Sequence, residues 1–139
     1  MLLIYNHCIS INNKFLLLII TLLLAACMSS EDDVMTLKPE TFKAKVHSSI
    51  ALQLIDVRTP EEFNSGHIEN AINFNYFSEH FKDSISLLQT NVPVYIYCRS
   101  GKRSSKSVEA FKAIGFDSIY QLKGGLLNWK KLRFEIISN

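Results

Sequence analysis

Two short apolar runs, at residues 50–57 and 92–97, constrain the fold of this chain more than any other feature. Runs of that length, made of hydrophobic residues with little polar alternation, read as strands buried on both faces. The segments between them carry helical patterns. Residues 39–46 suit a short helix with Pro39 in the first turn. Residues 60–63 read as a brief helix opened by Pro60, Glu61 and Glu62 and ended by Gly66. The spacing of Phe77, Phe81, Ile85 and Leu88 predicts a helix over 77–88. Residues 104–114 put Ser107, Val108, Phe111 and Ile114 on one face, with Gly115 as a C-cap, and residues 126–132 make a last helix around Trp129. Short strands at 71–74 and 118–122 complete the alternation. The class is α/β, with a central, mostly parallel sheet and helices on both faces. The aromatic residues on these helices read as core.

Cys98 ends the second apolar run and opens the stretch Cys98, Arg99, Ser100, Gly101, Lys102, Arg103, Ser104. Ligands of such sheets bind outside the carboxyl ends of the strands, which is where this thiol sits. Most free cysteines are small buried hydrophobes. Three cations within five residues of Cys98 and the start of a helix argue for a stabilised thiolate instead, and the thiolate is the nucleophilic form.

The first 27 residues differ from the rest: Lys14 is their only charged residue, and an apolar run of about a dozen residues follows it and ends at Cys27. That run is short for a membrane span, which takes about 20 residues. It reads as a secretory signal. Leu24, Ala25, Ala26 and Cys27 resemble a bacterial lipoprotein lipobox, which implies cleavage before Cys27 and acylation of its thiol. The expected division is a signal at 1–26, a lipidated end and polar tether at 27–35, and one domain at 36–139. The protein is then exported and anchored by lipid to a bacterial membrane, facing the periplasm or the cell exterior. Cys8 leaves with the signal and Cys27 carries lipid, so Cys98 is the one thiol left free. The formal charge of +2 gives no reason to propose nucleic acid as a partner.

Several motifs, in order, are similar to those of one family. Leu54 through Arg58, Glu61 through Phe63, Gly66 through Ile68 and Ala71 through Asn73 resemble the N-terminal half of a rhodanese domain. Cys98 through Ser104 resembles its active-site loop, and Gly115, Phe116, Leu122 through Gly125 and Trp129 match its C-terminal part. The resemblance covers about residues 36–131. It implies a sulfurtransferase that carries sulfur as a persulfide on Cys98, with thiosulfate as the family's usual donor, a thiol or cyanide as acceptor, and no metal or organic cofactor. The family also contains catalytically idle binding modules, and a thiol-based sensor is a third reading.

The loop suits that chemistry. Backbone N–H groups at a helix N-terminus cradle an anionic sulfur, and Gly101 permits the close approach. Arg103 is placed to lay its planar fork on a small anionic donor. Arg99 and Lys102 add positive potential, Ser100 lies within the loop, and Ser104 is a candidate helix cap. Four residues separate Cys98 from Arg103, one fewer than in the Cys-x5-Arg loops that hold phosphate or arsenate, so the cradle favours a single sulfur atom. Asp56 and Arg58, at the end of the first strong strand, are placed to support the loop through charge-assisted hydrogen bonds. His67 reads as holding a turn, and Asn70 occupies a position where the family often has glycine. The lipobox reading predicts that a fatty-acid label enters the wild-type protein and not Cys27→Ala. Equal labelling of the two would reject it.

Overall fold

The computed structural model describes residues 34–48 and 52–138. Cys8, Cys27, the apolar segment and most of the tether therefore lie outside the described residues. Five strands form one sheet: β1 (Val34–Leu37), β2 (Gln53–Asp56), β3 (Ile72–Asn73), β4 (Val94–Tyr97) and β5 (Ile119–Leu122). Their order is β1-β5-β4-β2-β3, and every pairing is parallel. The helices are α1 (Pro39–Ser48), α2 (Pro60–Asn64), α3 (Phe81–Ile85), α4 (Lys102–Ala113) and α5 (Gly125–Lys131).

Strand β4 is central, and all of its residues are buried. Successive side chains of a strand point to opposite faces. Val94, Ile96 and Cys98 therefore enter one core with Ile55, Val57, Phe81, Ile85 and Phe111. Tyr95 and Tyr97 enter the other, with Leu54, Phe42, Leu126 and Trp129. Helices α3 and α4 cover the first face and α1 and α5 the second. Each large side chain taken out of water contributes about 1.5–3 kcal/mol, so the continuous apolar run becomes the strand that both layers share. Trp129 is 1% exposed and donates its indole N–H to the Glu135 carbonyl at 2.9 Å.

Two elements differ from the sequence expectation. The helix over 77–88 is only Phe81–Ile85. Phe77 and the residues before Phe81 form turns instead, because the Asn75 side chain accepts the Phe77 N–H at 3.1 Å and the Ser78 hydroxyl accepts the His80 N–H at 3.2 Å. Such side-chain bonds compete with the helical ladder. Phe81 and Ile85 are buried, whereas Phe77 is 68% exposed. At the other end, the sheet begins with Val34 and Met35, in the stretch read as tether. Strand β1 is an edge strand on β5, in register from Val34 opposite Ile119 to Leu37 opposite Leu122. Its side chains show no alternation that marks it locally.

The end of β2 is held by a buried ion pair. Arg58 Nε lies 2.9 Å and Nη2 2.6 Å from Asp56 Oδ2, and Nη2 also donates to the Gly66 carbonyl at 2.8 Å. Asn73 donates to the carbonyls of both Asp56 and Arg58 at 2.9 Å. Asn70 takes the left-handed conformation its side chain tolerates, with φ at 64°. His67 stacks on Phe63 at 3.7 Å, and its backbone pairs with Ile137. It holds a turn, as the sequence suggested.

Removing one partner of a buried pair leaves a desolvated charge. Asp56→Ala strands the Arg58 guanidinium, which is 4% exposed, and should cost about 3–5 kcal/mol. The check is the midpoint of urea unfolding at constant m. A loss below about 1 kcal/mol, the worth of an exposed pair, would contradict the role given to it.

Candidate active site

The carboxyl ends of β2, β4 and β5 converge on Cys98, which is 1% exposed. Its Sγ accepts the Gly101 N–H at 3.1 Å, and the Ser104 hydroxyl lies 3.8 Å away. Burial pushes the thiol up. The backbone N–H groups of Ser104, Ser100 and Gly101 together with the Ser104 hydroxyl outweigh it, so the thiol sits below its ordinary value. A thiolate is thus held by neutral donors aimed at it rather than by a surrounding cloud of cations. Arg99 and Lys102 are exposed, and the Arg103 guanidinium lies near enough to the sulfur for their charges to attract.

Helix α5 explains why those N–H groups face inward. Leu126 N–H donates to the Cys98 carbonyl at 2.8 Å, and Leu127 N–H donates to the Arg99 carbonyl at 2.9 Å. In a trans peptide the C=O and N–H point in opposite directions. Tying the Arg99 carbonyl to α5 therefore turns the Ser100 N–H of the same peptide toward Sγ. The approach requires Gly125: a Cβ there would press on the Cys98 carbonyl and lie 2.7 Å from the Arg99 carbonyl oxygen, and its φ is +58°. At the other side of the loop, Gly101 is the N-cap of α4 with φ at 96°, a conformation glycine adopts without strain.

The roles of two predicted residues change. Ser104 does not cap α4, which already begins at Lys102. It lies within the first turn, donates to the Gly101 carbonyl at 3.0 Å and stands beside Sγ. The Arg103 fork does not stand open for a donor. Its Nη1 and Nη2 meet the Glu62 carboxylate at 2.6 and 2.8 Å. Arg103 holds the Glu62 carboxyl at about 2, against the opposing effect of burial. Glu62 also closes a capping box on α2, accepting the Thr59 N–H at 3.2 Å. Asp56 and Arg58 bond each other rather than the loop. The structure thus brings Cys98, Ser100, Gly101, Arg103 and Ser104 together, sets Arg99 and Lys102 outside, and puts Asp56 and Arg58 in the neighbouring support.

Glu62 and Gly125 fall within motifs legible in the sequence, but the sequence assigns neither a role at the site. The spacing of Thr59 and Glu62 is a legible capping signal, but nothing local joins Glu62 to an arginine 41 residues away. The Gly124–Gly125 pair signals an unusual backbone without saying what approaches it.

Because the thiol is lowered by donors that include Ser104, Cys98 should be alkylated by iodoacetamide with a midpoint below the ordinary thiol value. Reactivity is kept as the pH falls toward that midpoint and lost beneath it. Ser104→Ala should move the midpoint upward. An unchanged pH profile would remove the Ser104 hydroxyl from the cradle and leave its backbone N–H.

Residues 38–132 match the model of the rhodanese-like domain family. The uncharacterized protein YqhL of Bacillus subtilis is 38% identical over 94 residues, which make up 68% of this chain and 71% of that protein. The thiosulfate sulfurtransferase GlpE of Shewanella oneidensis is 32% identical over 79 residues, 57% of this chain and 76% of that enzyme. Similar proteins also include a tRNA uridine(34) hydroxylase of Onion yellows phytoplasma, of whose length this chain spans 34%. Among solved structures, a rhodanese-like domain protein from Staphylococcus aureus superposes with a TM-score of 0.61 at 32% identity, covering 68% of this chain and 90% of that one. With the parallel sheet and the motif-bearing loop already in place, the match over residues 38–132 means that the chain belongs to the rhodanese-like domain family.

Proposed function

We propose that this protein is a sulfurtransferase that carries a sulfane sulfur as a persulfide on Cys98. The observation that carries the reading is the convergence of the Ser100, Gly101 and Ser104 N–H groups and the Ser104 hydroxyl on one sulfur atom. The same donors serve a persulfide anion, whose charge lies one bond further out.

With thiosulfate as donor, the Cys98 thiolate attacks the sulfane sulfur. A new S–S bond forms, the bond to the sulfonate sulfur breaks, and sulfite leaves with the electron pair. An acceptor thiolate or cyanide then attacks the outer sulfur, and the pair of the breaking S–S bond returns to Cys98. The covalent intermediate makes the kinetics ping-pong. Arg103, engaged with Glu62, contributes charge and holds the first turn of α4 rather than clamping the donor with both arms. The lipobox-like segment supports a setting in which this domain works at a membrane surface, tethered through Cys27.

Treatment with thiosulfate should add one sulfur to the protein by mass, located on Cys98, and cyanide should remove it. Cys98→Ser should take up no sulfur and show no turnover. Retained turnover in that variant, or no sulfur on the wild type with any sulfane donor, would overturn the reading.

A further inference from the structure

We propose that the cavity beside the Cys98 loop binds an organic thiol bearing several negative charges and presents it to the persulfide as the sulfur acceptor. The proposal rests on the sulfurtransferase reading and names the acceptor class for that site. The cavity measures about 600 Å³ and borders the loop at Gly101. Its wall holds Lys102, Arg103, Lys106 and Lys123 and no carboxylate. Arg103 is neutralised by Glu62. The three lysines are exposed and enter no ion pair among the described residues.

That arrangement is costly to the free protein. Lys102 and Lys106 stand one turn apart on α4, where like charges repel. Lys102 also occupies the positive end of the helix, with no acid in its first turn. A polyanion relieves both effects. Phe77, 68% exposed and seated under the Arg103 guanidinium at 5.6 Å, gives the cavity a flat apolar wall. A donor of a few atoms such as thiosulfate needs neither the wall nor the volume, because cavities of roughly 300–1,000 Å³ take drug-sized ligands. The second half-reaction needs a larger entering group. The bound thiolate attacks the outer sulfur of the persulfide, the S–S bond to Cys98 breaks, and its electron pair stays on Cys98 as thiolate. The product is the persulfide of the organic thiol, and charge and atoms balance without a further reactant.

The experiment loads the full chain with thiosulfate. It then follows loss of the persulfide sulfur by mass with coenzyme A, glutathione or 2-mercaptoethanol, compared at equal thiolate concentration. One of the two charged thiols should unload Cys98 saturably and at least about tenfold faster than the uncharged one. Coenzyme A as the winner assigns the lysines to phosphates, and glutathione assigns them to carboxylates. The double variant Lys106→Ala/Lys123→Ala should shrink that preference about tenfold, the scale of two exposed charge contacts. Equal rates for all three thiols, or a preference that survives in the variant, would overturn the proposal. The unreactive S-methyl forms of both charged thiols separate the two levels of inference by calorimetry. Saturable binding that the double variant loses supports the groove even if Cys98 never takes up sulfur, in which case only the sulfurtransferase reading has failed. Absence of binding by either form overturns the groove itself.

Discussion

The carbonyls of Cys98 and Arg99 end on the first N–H groups of α5, and the polarity of the site follows from that attachment. A peptide fixed by its oxygen has its N–H fixed as well. Without the α5 anchor, nothing local would orient the loop amides, because the segment after β4 belongs to neither strand nor helix until Lys102. With it, the loop presents donors to one sulfur atom and holds the thiolate in a site almost closed to water. Gly125 makes the approach possible, since any side chain at that position would occupy the space of the loop's own backbone.

Charge is organised around this frame in two ways. Inside, it is paired: Asp56 with Arg58, and Glu62 with Arg103. The first pair ties β2 to the turn at Gly66 and the second ties α2 to the start of α4, so the loops following β2 and β4 are locked to each other across the sheet. Outside, the lysines of α4 and the end of β5 are left without counter-charges among the described residues. Paired charge builds the support, and Lys102, Lys106 and Lys123 face the cavity. The loop's arginine therefore belongs more to the support than its position in the motif suggests. The lowered thiol accordingly owes more to dipoles, which stay in place as the sulfur gains and loses charge, than to mobile cations.

Strand and helix alternation, the central position of the two apolar runs, the identity of Cys98 and the extent of its loop were all legible in the chain. Burial on both faces leaves a continuous apolar signature, and a thiol followed by a glycine-containing cationic stretch is a local pattern. The helix over 77–88 misled because Phe77 has helical spacing, yet Asn75 and Ser78 bond the backbone and stop the helix short. Strand β1 was hidden because an edge strand of four residues is recognised by its partner, not by its own side chains.

The sequence by itself therefore determined the fold class, the place of the Cys98 thiol at the end of a buried strand and the length of the loop that follows it, since each depends on residues that are neighbours in the chain. Tertiary structure alone decided which groups stabilise the sulfur, where Arg103 spends its charge and what Gly125 is for. Those answers depend on contacts between residues far apart in sequence. Glu62 reaches Arg103 across 41 positions, and the α5 amides reach the Cys98 loop only after β5 has brought the chain back beside β4. Local pattern carries no information about such a meeting, because the distance is closed by the sheet and not by the segment itself.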